Sequence, residues 1–321
     1  MINRLLLGLI GLTLVLPIVP VAVIAFDAPV PPPPMVSMAE SPKPIRSPEF
    51  PAPRQFRARD GASLQYYAYP AETDKVAVLV HGSAGPGTSM HALAEKLRAA
   101  GVSAYVLDIR GHGGSGRRGD IDYIGQIDDD LADFVAQLGP ARSGETRTLV
   151  GFSAGAGFAI RFAGGPYGAL FDRYMFLSPI LPGSVAWRPN AGGWVNIALP
   201  RLITIAYLGR AGVHWFDGFP VISYAVSRDP LRDTTASYSY RLSMNFGAGR
   251  AYEAYLKNLH RPAAILVGDA DEQVVADQLA PLMQRLGVDI PVTIVPGMGH
   301  ADTIARPEAL QAVVRAIGRD P

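Results

Sequence analysis

The sequence contains no cysteine. A chain without thiols cannot be a disulfide-stapled domain, cannot ligate zinc or an iron–sulfur cluster through cysteine, and cannot use a thiol nucleophile. Charge is also scarce, since only 18% of the residues are charged and 29 Lys+Arg almost balance 28 Asp+Glu. Neutralising nucleic-acid phosphates needs a clustered basic surface, so this composition argues against a nucleic-acid partner.

The chain is instead rich in apolar residues, which make up 49% of its 321 positions. This content is enough for a sizeable core and excludes a disordered or fibrous protein. The length allows one large domain with appendages. The composition thus predicts a globular protein.

The N-terminal residues 1–26 hold the first predicted appendage. Leu5 to Phe26 carry no charge and, at about 1.5 Å per residue, are long enough to cross a ~30 Å hydrocarbon layer. Val23 to Ala25 fits a signal-peptidase site, so a removed signal peptide is the alternative to the anchor that we favour. Arg4 on the short N-terminal side predicts that the rest of the chain lies outside the cytoplasm, membrane-anchored or, after cleavage, periplasmic or secreted.

A proline-rich linker is predicted at residues 27–53, where 10 of 27 residues are proline. Proline fixes φ and removes hydrogen-bond donors, so the segment is expected to be an extended, semi-rigid spacer.

From residue 54 to the end, short apolar runs alternate with stretches of helical periodicity. The predicted strands are 63–69, 76–80, 104–107, 148–152, 174–177, 263–267 and 292–295. The predicted helices are 90–100, 124–138, 154–163, 274–286 and 307–317. Continuous apolar runs separated by helices are typical of a mostly parallel sheet covered on both faces, so the predicted fold class is α/β.

The sequence TLVGFSAGAG over residues 148–157 places a G-x-S-x-G motif between a predicted strand and a predicted helix. At such a turn Ser153 is exposed beside backbone N–H groups, which suits a nucleophile. The base must be a histidine, and His300 follows a predicted strand in the sequence VPGMGH. The segment GDADE after residue 267 offers the orienting acid, with Asp271 preferred and Asp269 as the fallback.

Residues 81–87, HGSAGPG, follow another predicted strand and are expected to complete an oxyanion hole. The backbone N–H of Ser83 or Ala84 would act together with that of Ala154. A phosphate loop is excluded because the segment lacks a lysine. The glycines of DIRGHGGSG, residues 108–116, are not followed by a helical pattern, which argues against a dinucleotide site, and no metal or organic cofactor is implied.

These motifs together resemble the α/β-hydrolase superfamily, in its serine aminopeptidase, monoacylglycerol lipase and lysophospholipase-like branch. The resemblance covers about residues 63–317 and implies the α/β-hydrolase fold for a domain spanning residues 54–321. It implies Ser153 as nucleophile, Asp271 as acid, His300 as base, and the amides of Ser83 and Ala154 for the oxyanion. It does not fix the substrate.

The long stretch between the predicted strands at 174–177 and 263–267 predicts a cap inserted at about residues 179–262. It holds 12 of the 28 aromatic residues, including Trp187, Trp194 and Trp215, together with an apolar segment at 197–208. Such a composition suits an apolar acyl pocket, although the same rings could simply pack the cap onto the main domain. Its basic charge suggests the hypothesis that the cap attracts anionic lipid head groups.

The predicted activity is hydrolysis of carboxylic esters, acyl- or lipid-like, through a Ser-His-Asp triad and an acyl-enzyme. The expected partners are a small-molecule ester or lipid and, through the N-terminal segment, a membrane. A peptidase using the same triad is the first alternative. A non-catalytic, membrane-tethered binding module is the second.

Overall fold

A computed structural model of the protein describes residues 19–33, 35, 50–226 and 233–318. Its centre is an eight-stranded sheet in the order β1-β2-β4-β3-β5-β6-β10-β11. The strands are β1 (Arg54–Arg57), β2 (Ser63–Tyr69), β3 (Lys75–Val80), β4 (Ser103–Leu107), β5 (Thr146–Phe152), β6 (Arg173–Leu177), β10 (Ala263–Gly268) and β11 (Val292–Val295). β2 pairs antiparallel with β1 and β4, whereas the other neighbours are parallel. The predicted α/β class with a mostly parallel sheet is confirmed.

Helices cover both faces of this sheet. In chain order they are α1 (His91–Ala99), α2 (Gln126–Leu138), α3 (Ala154–Ala163), α4 (Leu199–Arg210), α5 (Tyr240–Asn245), α6 (Tyr252–Lys257), α7 (Leu279–Leu286) and α8 (Pro307–Gly318). Side chains of α1 and α8 join one apolar core, and side chains of α2, α3, α6 and α7 join the core on the opposite face.

The two cores explain why the central strands are continuous apolar runs. In β3, Val78 and Val80 belong to one core while Ala77 and Leu79 belong to the other, and all four are 0% exposed. Because successive side chains of a strand point to opposite faces, a sheet covered on both sides needs apolar residues at every position.

Between β6 and β10 the chain forms a second, three-stranded antiparallel sheet, β7-β8-β9. Its strands are β7 (Val195–Ile197), β8 (Pro220–Tyr224) and β9 (Ser237–Ser239). The apolar segment noted at 197–208 forms α4, which begins and ends two residues later. We call residues 179–262 the cap, and its boundaries as a domain stay a prediction.

The prediction of a membrane anchor with the catalytic domain outside the cytoplasm, or of a periplasmic or secreted product, is wrong. Within the described residues, no helix has the length and apolar character needed to cross a bilayer. Residues 5–18 of the predicted segment lie outside the described residues. The remainder, 19–26, is helical, and Ile24 in it is 1% exposed because it packs on Ile205 and Val221 of the cap. This side chain is therefore buried by protein.

The segment after this helix also contacts the cap. Asp27 Oδ2 accepts a hydrogen bond from Arg201 N in the first turn of α4 at 2.9 Å, which satisfies a helix N–H that has no partner within the helix. Val30 N donates to Asn196 Oδ1 at 2.9 Å. The described start of the predicted spacer is thus attached to the cap.

Candidate active site

Ser153 lies at the junction of β5 and α3, where the chain reverses within one residue. Its φ of 57° and ψ of −119° are unfavourable for a residue with a side chain, at a cost of about 1–3 kcal/mol. The turn is possible because neither flanking glycine carries a Cβ. A Cβ at Gly151 would lie 2.3 Å from the Gly155 carbonyl oxygen, and one at Gly155 would lie 2.3 Å from the His81 carbonyl oxygen. Both outer positions of the G-x-S-x-G motif therefore require glycine.

His300 follows β11 and reaches this turn. Ser153 Oγ lies 2.8 Å from His300 Nε2, a distance at which the hydroxyl donates to the imidazole. His300 is 0% exposed and Ser153 is 3% exposed, so both are shielded from bulk water. Shielding of this kind strengthens electrostatic interactions within the site.

Asp271 orients the histidine. Nδ1–H of His300 donates to the carboxylate, whose two oxygens lie 2.9 Å from it. Gln273 N and Val274 N also donate to Asp271 Oδ1, at 2.8 and 2.9 Å. Burial alone would raise the pKa of Asp271, but His300 and these hydrogen bonds outweigh it, and the pKa lies below its usual value. The carboxylate is thus ionised at neutral pH.

The other acids of this loop do not reach the imidazole. Asp269 is exposed and accepts a hydrogen bond from Gly297 N at 2.6 Å. Glu272 accepts one from the backbone N of His300 at 2.9 Å. Of the two predicted acids, the structure brings Asp271 to His300 and leaves Asp269 outside the site.

The predicted oxyanion loop, residues 81–87, lies against Ser153. A Cβ at Gly82 would be 3.1 Å from Ser153 Cβ. In the described residues no acceptor is bonded to the backbone N–H of Ser83 or Ala154, whereas the N–H of Ala84 donates to Tyr238 Oη at 2.8 Å. Of the two alternatives on this loop, Ser83 therefore keeps an available amide and Ala84 does not.

The neighbouring loop, residues 108–116, has a structural role. Asp108 accepts hydrogen bonds from Gly87 N and Gly114 N at 2.6 and 2.9 Å, which ties this loop to the end of the oxyanion loop. Arg110 pairs with the buried Asp130 at 2.7 Å. Asp108 thus holds the backbone of both loops.

The three tryptophans of the cap have different environments. Trp194 is 5% exposed and its Nε1–H donates to Ser83 Oγ at 2.9 Å. Trp187 forms an isolated antiparallel β-bridge with Val274, in the loop after β10 that carries Asp271, and Trp215 is 86% exposed. The contacts of Trp194 and Tyr238 with the oxyanion loop were missed by sequence reasoning, since nothing in the sequence links cap positions to a loop more than 100 residues away.

A family model described as serine aminopeptidase, S33, matches residues 71–305. The chain belongs to this family. It is therefore a serine hydrolase of the α/β-hydrolase fold, as the motifs predicted.

Relatives of known name agree with this assignment. The chain is 28% identical over 270 residues to a monoacylglycerol lipase of Mycolicibacterium smegmatis, with 76% of this chain and 88% of the relative covered. The solved structures that share its fold include a monoacylglycerol lipase of Paleococcus ferrophilus, with a TM-score of 0.61 and 22% identity over 79% of this chain and 98% of that one. They also include a soluble variant of Saccharomyces cerevisiae monoglyceride lipase bound to a substrate analogue, with a TM-score of 0.64 and 17% identity over 86% and 96%.

Proposed function

We propose that this serine hydrolase cleaves carboxylic esters of acyl-lipid type, such as monoacylglycerols or lysophospholipids, through an acyl-enzyme. The observation that carries the proposal is the continuous hydrogen-bonded series from Ser153 through His300 to Asp271, next to the available amides of Ser83 and Ala154. The monoacylglycerol lipase relative supports the substrate class.

In the proposed first step, His300 Nε2 takes the proton of Ser153 Oγ while the oxygen attacks the ester carbonyl. The carbonyl oxygen becomes an oxyanion, and the two available amides donate hydrogen bonds to it. The protonated imidazole, stabilised by the ionised Asp271, then gives its proton to the departing alcohol.

In the second step, water takes the place of the alcohol. His300 removes a proton from the water, the resulting hydroxide adds to the acyl-enzyme carbonyl, and collapse of the adduct returns the proton to Ser153 as the carboxylic acid leaves. The triad is regenerated, and the two steps use only the ester, water and groups of the chain.

The family description also names aminopeptidases, so peptide hydrolysis on the same triad is the second candidate. Holding a free substrate amine would need an unpaired carboxylate near the site. In the described part of the cap, Asp217 pairs with His214, Asp233 with Arg118, and Glu253 lies 3.6 Å from an arginine of α7. These pairings favour the ester.

The test is intact-mass analysis of the full-length protein after treatment with a fluorophosphonate, with Ser153→Ala as the control. A single adduct in the wild type and none in the variant supports an activated Ser153. An unlabelled wild type that circular dichroism shows to be folded would refute the proposed chemistry.

The substrate class is then tested with p-nitrophenyl esters from acetate to palmitate, a monoacylglycerol, a lysophospholipid and aminoacyl p-nitroanilides. Turnover of the esters, with kcat/KM rising with acyl length, supports a lipid-like ester substrate. Turnover of the anilides without turnover of the esters would overturn it in favour of the peptidase.

A further inference from the structure

Cap residues bond both backbone groups of Ala84 in the oxyanion loop. Its N–H donates to Tyr238 Oη at 2.8 Å, and its carbonyl accepts from Thr235 N at 2.9 Å. Ser83 is held next to it, because Trp194 Nε1–H donates to its hydroxyl at 2.9 Å. The cap therefore fixes the side chain of Ser83 and the backbone of Ala84, and leaves the Ser83 amide available.

The conformation of Ala84 explains why such support is needed. Its φ is 64°, in the left-handed region that residues with a Cβ rarely adopt. A strained conformation of this kind persists only where the surrounding contacts impose it. The contacts that impose it here come from Tyr238 and Thr235, which are both cap residues.

These bonds belong to a longer series of buried hydrogen bonds. Trp194 donates to Ser83, the Tyr224 hydroxyl is in hydrogen-bond contact with the hydroxyls of Ser83 and Tyr238, and Tyr238 donates to His112 Nε2. The Tyr238 hydroxyl also accepts from the Ala84 N–H, so it is both acceptor and donor. A buried network that is satisfied in this way is stable in one geometry, so it can fix the position of the loop it includes.

The series ends on a histidine that has to be neutral, because only a neutral imidazole can accept the hydrogen bond that Tyr238 donates. Burial, and next the proximity of His81, hold the pKa of His112 well below its usual value. His112 Nδ1–H donates to the Ile109 carbonyl at 3.3 Å, which leaves Nε2 as the acceptor. The network is thus complete at neutral pH.

We propose that Tyr238 and Trp194 are positioning residues for the oxyanion hole, which hold the loop so that the Ser83 amide can bind the oxyanion formed at Ser153. The cap then completes the catalytic geometry in addition to covering the substrate. This inference rests on the function proposed above, because the oxyanion exists only if Ser153 attacks a carbonyl.

The first test is Tyr238→Phe in the full-length protein, which removes only the hydroxyl. The ring would keep its packing, with its centroid 4.6 Å from that of Tyr224 and 5.1 Å from that of His112. For a p-nitrophenyl ester, kcat should fall about 10- to 100-fold while KM changes by less than about 2-fold, because the oxyanion forms only after binding.

Two further measurements separate positioning from general stability. The Ki of a boronic acid that forms a tetrahedral adduct with the serine should rise by the factor by which kcat/KM falls. Trp194→Phe should act in the same direction, and the double variant should lose less than the product of the single losses, since both side chains hold one loop.

The matched control is Tyr174→Phe. Tyr174 is also a buried tyrosine, 2% exposed, and its hydroxyl makes a single hydrogen bond to the Gly168 carbonyl at 2.9 Å, away from the oxyanion loop. This variant should lose stability but keep kcat. An equal loss of kcat in the control, or wild-type kcat and Ki in folded Tyr238→Phe and Trp194→Phe, would overturn the inference.

Fluorophosphonate labelling separates the two proposals. If the wild type is labelled on Ser153 and hydrolyses esters while the variants keep wild-type kcat and Ki, only the positioning role fails. If the folded wild type is not labelled, the proposed function itself fails. Should Tyr238→Phe not fold, the kcat and Ki of Trp194→Phe decide the outcome by the same criteria.

Discussion

The two regions that meet at Ser153 are built in different ways. At the edge of the central sheet, three loops that directly follow β5, β10 and β11 each supply one member of the candidate triad. In the cap, strands of only three to five residues place Trp194 and Tyr238 against a loop of the main domain. The edge of the sheet holds the candidate triad, whereas the cap holds the loop that is proposed to bind the oxyanion.

This difference predicts where substitutions will have large effects. Groups at the sheet edge belong to the candidate triad or make the turn that holds Ser153, so the proposed chemistry leaves them few alternatives. Groups in the cap act through other residues, so their loss is expected to reduce the rate or the stability only in part. Four measurements can sharpen this comparison or break it.

The largest effect is expected for Asp271→Ala at the sheet edge. Loss of the carboxylate leaves His300 without its Nδ1 acceptor, and kcat should fall about ten-thousand-fold. Asp269→Ala, two residues away, removes an exposed acid that bonds only backbone and should keep activity near the wild-type level. Steady-state kinetics on an ester substrate measures both. Equal losses in the two variants would contradict the placement of the acid.

Glycine-to-alanine substitutions should have opposite signs in the two regions. A Cβ on Gly155 would lie 2.3 Å from the His81 carbonyl oxygen, so Gly155→Ala should lower the free energy of unfolding by about 3 kcal/mol or more. Gly209 lies in the last turn of α4, and a Cβ there meets only the His214 ring at 3.5 Å. Gly209→Ala should raise the free energy of unfolding by up to about 1 kcal/mol.

Urea unfolding followed by circular dichroism checks both signs. Destabilisation by Gly209→Ala, or tolerance of Gly155→Ala, would show that the two regions do not differ in this respect.

The buried histidines that link the regions should make stability depend on pH. Burial is the main cause that holds the pKa of His81 and His112 below the usual 6.5, so the folded state binds fewer protons than the unfolded state as pH falls below that value. Each histidine should therefore lower the free energy of unfolding by up to about 1.4 kcal/mol per pH unit below about pH 6.5. The folded protein should lose stability on acidification through these groups.

Asp130 acts in the opposite direction. Burial raises its pKa to about 6 in spite of Arg110, so its folded form gains a proton before its unfolded form does and gains stability as pH falls. The informative quantity is hence the change in the free energy of unfolding with pH, compared between the wild type and His112→Gln. Between about pH 7.5 and pH 5.5, the variant should lose roughly 1 kcal/mol less than the wild type, by urea unfolding. His260→Gln, at an exposed position, is the control for the substitution itself.

The smallest effect is expected at the outer edge of the cap. Asp27→Ala removes the acceptor for the N–H of Arg201 and should destabilise the first turn of α4 by about 1 kcal/mol. Hydrogen exchange of the α4 amides should accelerate several-fold, while exchange in α8 stays unchanged. Unaltered exchange in α4 would mean that the N-terminal segment does not stabilise the cap.

Much of the main domain was predictable because its signals are local. Residues 63–69 and 154–163 begin and end as predicted, since a period-2 pattern marks the strand and a glycine-flanked serine marks the start of the helix. The helix predicted at 274–286 is shorter and begins at Leu279, because the preceding residues carry the loop that binds Asp271.

The cap and the N-terminal segment were less predictable. β7, β8 and β9 are too short for a periodic signal, and their pairing joins Val195 to Tyr224 across α4. The apolar run at the N-terminus has the length and the lack of charge of a membrane anchor, yet Ile24 at its end is buried against the cap. Hydropathy measures the preference for an apolar environment and does not distinguish lipid from protein.

The sequence by itself determined the α/β class, the family, the turn that presents Ser153, and the histidine and acidic loop that follow their strands. Each of these is encoded in a few consecutive residues by periodicity, glycine and strand order. Only the tertiary structure decided that Asp271 and not Asp269 reaches His300, and that Tyr238 takes the Ala84 amide and leaves that of Ser83 available. These outcomes depend on distances between segments far apart in the chain, which packing sets and no local pattern contains.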